Sequence, residues 1–199
     1  MQCRLIPTAL ILVSAACGPK PQTAPTPTLP ASPTRTNRIP AQLGRYRLAR
    51  RVGIEGAPND SAYHYSDGSP TRVSVFVYQI PVDVQVGADS QSWTPREGEK
   101  FEEVQPLLVQ NGMIGAYEVA FANTGEITAA NRKITEHATA IAVRSHGQVA
   151  VDFQYLYLVD GRFLKIRATV PSDGWEKTDV PTFAREMARH LAGADSTPP

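Results

Sequence analysis

"VAVDFQYLYLVDGRFLKIRATV", residues 149–170, holds two strands and the turn between them. Asp160-Gly161 is a dipeptide favoured in two-residue hairpin turns, and the aromatic and β-branched residues on either side suit extended backbone. Just upstream, "ITEHATAIAVRSHGQVAV" (134–151) turns in the same way at His146-Gly147. With two residues in each turn the register follows by counting, so Tyr155 stands opposite Ile166 and Ala140 opposite Phe153. Side chains alternate across a strand. One face therefore collects Ala138, Ala140 and Ala142, then Val151, Phe153, Tyr155 and Tyr157, then Leu164, Ile166, Ala168 and Val170. Every member is apolar or aromatic, and a one-residue slip would destroy that agreement. This is a core face.

A helix is available to cover it. "TDVPTFAREMARHLAG" (178–193) sets Val180, Phe183, Met187 and Leu191 on one stripe at helical spacing. Thr178 or Asp179 caps its start, Pro181 fits the first turn, Gly193 suits the end, and His190 falls in the last turn, where positive charge is favourable. The first half of the chain is less periodic. "RVSVFVYQI" (72–80) reads as a strand paired with "AYHY" (62–65), and "GRYRLARRV" (44–52) as an edge strand. A second helix starts near "TPREGEKFEEV", with Thr94 and Glu97 as a capping box and Phe101, Val104 and Leu108 on its buried side. Pro106 should kink or end it. "GAYEVAF" (115–121) is read as a further strand, with continuation of the helix as the alternative.

These elements predict an α+β fold, a largely antiparallel sheet of six or seven strands with two helices, the C-terminal helix packed on the sheet. A closing hairpin followed by a C-terminal helix resembles the PsbP-like α/β/α sandwich. The resemblance covers residues 44–192, implies architecture alone and carries no functional residue.

The front of the chain is of another kind. "ALILVSAACGPKPQTAPTPTLPASP" (9–33) runs from an apolar stretch through Cys17 into a string of prolines. Leu5 to Ala16 would rise ~18 Å as a helix, too short for a bilayer core of ~30 Å and suited to the apolar region of an export signal. "VSAAC" resembles the end of bacterial lipoprotein signals, in which small residues precede a cysteine that receives a diacylglycerol and becomes the mature N-terminus. Ala15, Ala16 and Cys17 match, whereas Ser14 stands where that family usually carries leucine. The resemblance implies cleavage after Ala16 and lipidation of Cys17, and the Gly18 that follows implies the outer membrane, facing the periplasm. Ordinary signal cleavage leaving a free thiol is the alternative. The expected organisation is a signal peptide over 1–16, a lipidated cysteine with a Pro-rich tether over 17–40, one α+β domain over 41–193 and a tail over 194–199. Seven of the 17 prolines lie between Gly18 and Pro40. Such a linker favours extended polyproline backbone and could reach ~70 Å at ~3.1 Å per residue.

Composition narrows the rest. Twenty Lys and Arg stand against 19 Asp and Glu, which does not supply the basic surface that binding to nucleic-acid phosphates requires. Both cysteines, Cys3 and Cys17, sit at the front, so nothing later in the chain can act as a thiol nucleophile or bind metal through sulfur. The four histidines lack metal-ligand spacing, and no phosphate loop, nucleophile elbow or dinucleotide fingerprint is present. No cofactor, metal or catalytic set is expected.

The sheet face opposite the core gathers His137, Thr139 and Ile141, then Asp152, Gln154 and Leu156, then Lys165, Arg167 and Thr169. A mixed polar patch of this kind suits a small anion or a partner's carboxylates. Its plain alternative is a solvated face with cross-strand ion pairs, each worth under ~1 kcal/mol. Arg45, Arg47, Arg50 and Arg51 suit anionic headgroups or wall polymers, or else the protection of a sheet edge from aggregation. Three readings follow: an anchored module that binds or assembles with an envelope protein or small ligand, an envelope hydrolase using His137 and Asp152, and a carrier of a small apolar ligand held by Tyr155, Tyr157 and Phe183.

Overall fold

The computed structural model describes residues 39–54, 57–79 and 92–193, of which 57–59 are described by their backbone. The leader, Ala16, Cys17, most of the tether and the 194–199 tail lie outside the described residues. Those described all belong to one compact unit, Asn37–Pro199.

Eight strands make a single sheet: β1 (Gln42–Leu43), β2 (Tyr46–Ile54), β3 (Ala57–Ser66), β4 (Arg72–Gln79), β5 (Ala116–Ala129), β6 (Arg132–Ser145), β7 (Gln148–Val159) and β8 (Arg162–Pro171). Their order is β1-β2-β3-β4-β8-β7-β6-β5, antiparallel at every pair. Two four-stranded meanders thus meet where β4 pairs with β8, leaving β1 and β5 at the edges. The α-helices are α1 (Trp93–Glu103), α2 (Gln105–Gln110) and α3 (Val180–Gly193), the last preceded by a 3-10 turn over Trp175–Lys177.

The α+β class holds, and the expected six or seven strands are corrected to eight. The extra strand is β1. Two residues cannot display alternation, and this strand exists because Gly44, at φ +55°, turns the chain so that Leu43 meets Tyr46. β5 is a strand throughout and twice the expected length. It closes onto β6 through Ala130-Asn131, both at positive φ (46° and 59°). His146-Gly147 (50°, 79°) and Asp160-Gly161 (50°, 72°) turn the same way, and positive φ at both central residues matches the twist of the flanking strands.

The counted register is the observed one: Tyr155 pairs with Ile166, Ala140 with Phe153 and Gln154 with Arg167. The face predicted as core is packed by α3, whose Val180, Phe183, Met187 and Leu191 are buried with Ala184, Ala188 and Ala192 between them. Phe183 sets its ring edge-on to Tyr46 and Tyr65, at centroid distances of 4.9 and 5.2 Å. Thr178 Oγ1 accepts from the Val180 amide, as its capping role required. The described core lies within the compact unit Asn37–Pro199.

At the other helix the capping box does not form. α1 begins two residues earlier than expected, behind Ser92, with no side-chain cap. Thr94 is fully buried, and Glu97 turns away to two lysines. Packing against the sheet overrides the local signal. Pro106 acts as predicted, since the helix breaks at Val104 and α2 starts afresh with the proline in its first turn.

Candidate functional site

The polar face of β6–β7–β8 is roofed by α1. What lets the helix come this close is Gly98, whose missing side chain is replaced by the ring of His137. A Cβ there would overlap His137 Cδ2. The Gly98 carbonyl accepts a hydrogen bond from Gln154 Nε2 at 3.3 Å. Phe101, one turn further on, packs with Ile141 and Val143 in a small second core.

His137 is therefore buried, its Nδ1 3.0 Å from Thr124 Oγ1 and its Nε2 3.2 Å from Thr139 Oγ1. Burial lowers its pKa, a shift only partly opposed by the charges of Glu102 and Glu99. Thr139 and Gln154 are sealed in the same layer, at 0% and 1% exposure. The sequence expectation placed these three on a surface; the fold places them between helix and sheet.

Lys165 and Arg167 border that layer. Lys165 Nζ lies 3.1 Å from Glu97 Oε1 and rests over the Tyr78 ring at 5.2 Å. Glu97 also takes Lys100 Nζ at 2.6 Å and the Tyr78 hydroxyl at 3.1 Å. Burial lowers the Lys165 pKa against the pull of Glu97. Burial of Glu97 favours its neutral acid, yet hydrogen bonds from Lys100 and Lys165 hold the carboxyl below the usual range. Arg167 donates through Nε to Gln154 Oε1 at 3.3 Å, and its guanidinium carbon sits 5.0 Å above Phe101. The cluster fastens α1 to β4, β7 and β8.

Asp152 is the outlying member. It accepts the Thr169 hydroxyl at 2.6 Å, and Thr169 lines an open cleft of about 540 Å³ with Arg72, Gln148 and Asp173. Asp152 is not hydrogen-bonded to His137, whose two nitrogens face threonines. An acid-base pair would need one of them to change partners. Of the other histidines, His64 meets Ser74 Oγ at 3.0 Å, His146 occupies a turn at φ +50°, and His190 lies in the last turn of α3. Tyr155, Tyr157 and Phe183 are buried at 2%, 0% and 2% exposure, and the clefts described on the molecule are lined by other residues.

Two polar clusters escaped sequence reasoning. Glu136, 4% exposed, takes Arg185 through both oxygens (3.0 and 3.2 Å) and the Tyr157 hydroxyl at 2.7 Å. Counting back from Ala138 puts Glu136 on the core face, a signal that a counter-charge must come from somewhere. That it comes from α3 is invisible locally. Just before the first residue of α3, Asp179 takes the Tyr46 hydroxyl at 2.7 Å and Arg45 at 3.1 Å, while Arg45 also reaches Asp67 at 2.9 Å. Burial, with the Asp179 bond second, pushes the Tyr46 phenol up to about 12. Among the described residues no group of three or more His, Cys, Asp or Glu could hold a metal ion, and no helix is long and apolar enough to cross a membrane.

No protein-family model and no curated protein matches the chain. Among solved structures it is similar to the solution structure of the PsbP protein of the cyanobacterium Synechocystis sp. PCC 6803 (CyanoP). That likeness has a TM-score of 0.46 and 15% identity, covering 70% of this chain and 78% of that one. It transfers no residue, ligand or partner.

Proposed function

We propose that the chain is a lipid-anchored protein of the bacterial cell envelope, held in the outer membrane facing the periplasm, whose α+β body is a non-catalytic module for binding or assembly. The observation that carries the reading is Cys17, at the end of an uncharged apolar run and followed at once by a proline-rich spacer. An apolar run too short to span, a cysteine and a segment unable to pack are the parts an anchored, tethered domain needs. The body adds a supporting argument. The side chains first considered for chemistry are used to hold α1: His137 against Gly98, Gln154 on its carbonyl and Lys165 on Glu97.

Intact-mass analysis of protein extracted from membranes tests the anchor. The expected mass is that of the chain from Cys17 plus a diacylglyceryl group. An uncut leader, or an unmodified thiol at Cys17, would overturn it. Crosslinking in the native envelope tests the module, and its expected result is one reproducible partner captured through the body.

A further inference from the structure

The four arginines clustered in sequence, Arg45 just before β2 and Arg47, Arg50 and Arg51 on it, are separated by the fold into different tasks. Arg45 is neutralised by Asp67 and Asp179. Arg51 points to the α3 side, donating to Ser61 Oγ at 3.3 Å and lying 5.5 Å from the Tyr63 ring centroid, with no ion pair to another described residue. Arg47 and Arg50 are exposed, and no ion pair joins either to another described residue. They pair across the sheet with Ser66 and His64, and β3 offers no carboxylate between Ser61 and Ser66. Residues 41–54 hold four arginines and no acid, with Glu55 the first beyond them, in a chain whose net charge is only +1. Three arginines without an ion pair to another described residue thus stand together on one strand of a nearly neutral chain.

That strand lies next to a sheet edge. Among the described residues β1 covers β2 only at Tyr46 and Arg47, and none of them forms a strand beside the outer rim of β2 from Ala49 to Ile54. The chain also enters the fold here. Pro40 O accepts from the Tyr65 hydroxyl at 2.6 Å, Ala41 O accepts from the Leu48 amide at 2.9 Å, and Ile39 packs against the main core. Whatever anchors residue 17 is joined to the body at this edge through residues 18–40.

We infer that the β2 edge is a second membrane contact, docking edge-on against the anionic headgroups of the leaflet that holds the anchor. The inference rests on the lipid-anchored reading for the nearness of that leaflet, and on charge complementarity for the contact itself. Guanidinium groups match phosphate geometry with paired donors. Each basic side chain close to an anionic bilayer strengthens binding about fivefold. The tether multiplies a weak contact by keeping the body at high effective concentration near the surface. A closed pocket for a free anion is not what these residues form, since Arg47 and Arg50 stand on one face of the sheet and Arg51 on the other, all exposed on the strand next to its edge.

The test uses the body alone, residues 37–199, which retains the whole described core, so the lipid cannot mask the result. Its probe is cosedimentation with phosphatidylcholine vesicles, with and without phosphatidylglycerol. Binding is expected only to the anionic vesicles and should fade between 0.1 and 1 M salt, as the screening length drops from ~10 to ~3 Å. R47Q/R50Q should weaken it about 30-fold. R144Q/R189Q, which removes the same charge from exposed sites elsewhere, should change it less than about threefold. Equal loss in both variants, or no binding to either vesicle, would overturn the inference, as would R47Q/R50Q self-associating with vesicle binding unchanged, the sign of edge protection alone. An acidic protein captured through Arg47 and Arg50 without vesicle binding would overturn it also. None of these outcomes touches the anchor, which the mass of the native protein decides separately.

Discussion

The two faces of the sheet are each covered by a helix, of 11 residues for α1 and 14 for α3, but by different means. On the α3 face, buried apolar side chains of both meanders meet an apolar stripe, an attraction without direction that needs only shape and area. On the α1 face the helix sits where a glycine meets an imidazole, an amide meets a carbonyl and a carboxylate meets two lysines. Each of those contacts is specific to its pair and fails if its partner moves. The difference teaches that one face carries most of the stability, whereas the other sets where α1 lies and therefore which polar groups remain reachable.

Truncation on the α3 face should do the most damage. Phe183→Ala removes a ring packed on Tyr46 and Tyr65 and should cost about 3–5 kcal/mol in chemical denaturation. A loss below about 1 kcal/mol would mean that α3 is not the main cover. Next is Gly98→Ala, which forces α1 off the His137 ring and should cost about 1–3 kcal/mol. Adding His137→Ala should recover part of that loss, with a coupling of about 0.5–3 kcal/mol. Strict additivity of the two changes would break the proposed contact.

A smaller effect is expected from acid. Because His137 in the folded protein has a pKa below its unfolded value of about 6.5, the unfolded chain binds the proton first as pH falls. Its contribution is intact above about pH 6.5 and is lost as pH drops toward the folded value. His137→Gln should flatten stability over that window, as read from denaturation midpoints. Glu97, lowered in the fold, acts in a separate window. Its contribution is present above the ordinary carboxylate value of about 4.3 and is lost as pH falls through the folded one. The smallest change of all is predicted for Arg47→Gln with Arg50→Gln, exposed and without ion pairs. It should leave stability within about 0.5 kcal/mol while altering attraction to anionic vesicles.

The β6–β7–β8 meander was legible to the level of individual pairs, because two-residue turns leave no freedom in the count and alternation then assigns every side chain a face. β1 was not, since two residues carry no period. The polar residues His137, Thr139, Asp152, Gln154, Lys165 and Arg167 were placed correctly on one face, and their state was not readable there. Whether a polar face is wet or roofed depends on a helix about forty residues away, attracted by contacts with no periodic signature. Glu136 marks the boundary: its register position showed an acid in the core, and only α3 supplies Arg185.

Determined by sequence were the elements with repeating patterns: a strand meander and the apolar stripe of α3, beside an apolar run that ends at a cysteine before a proline-rich segment. Periodicity, turn chemistry and composition are properties of neighbouring residues, and neighbours are all a sequence displays. Tertiary structure alone decided the eighth strand, the seating of α1 on a glycine, the burial of His137 and the division of the arginines on β2. Those outcomes depend on which distant groups arrive at contact distance, where hydrogen bonds and charge act over a few ångströms.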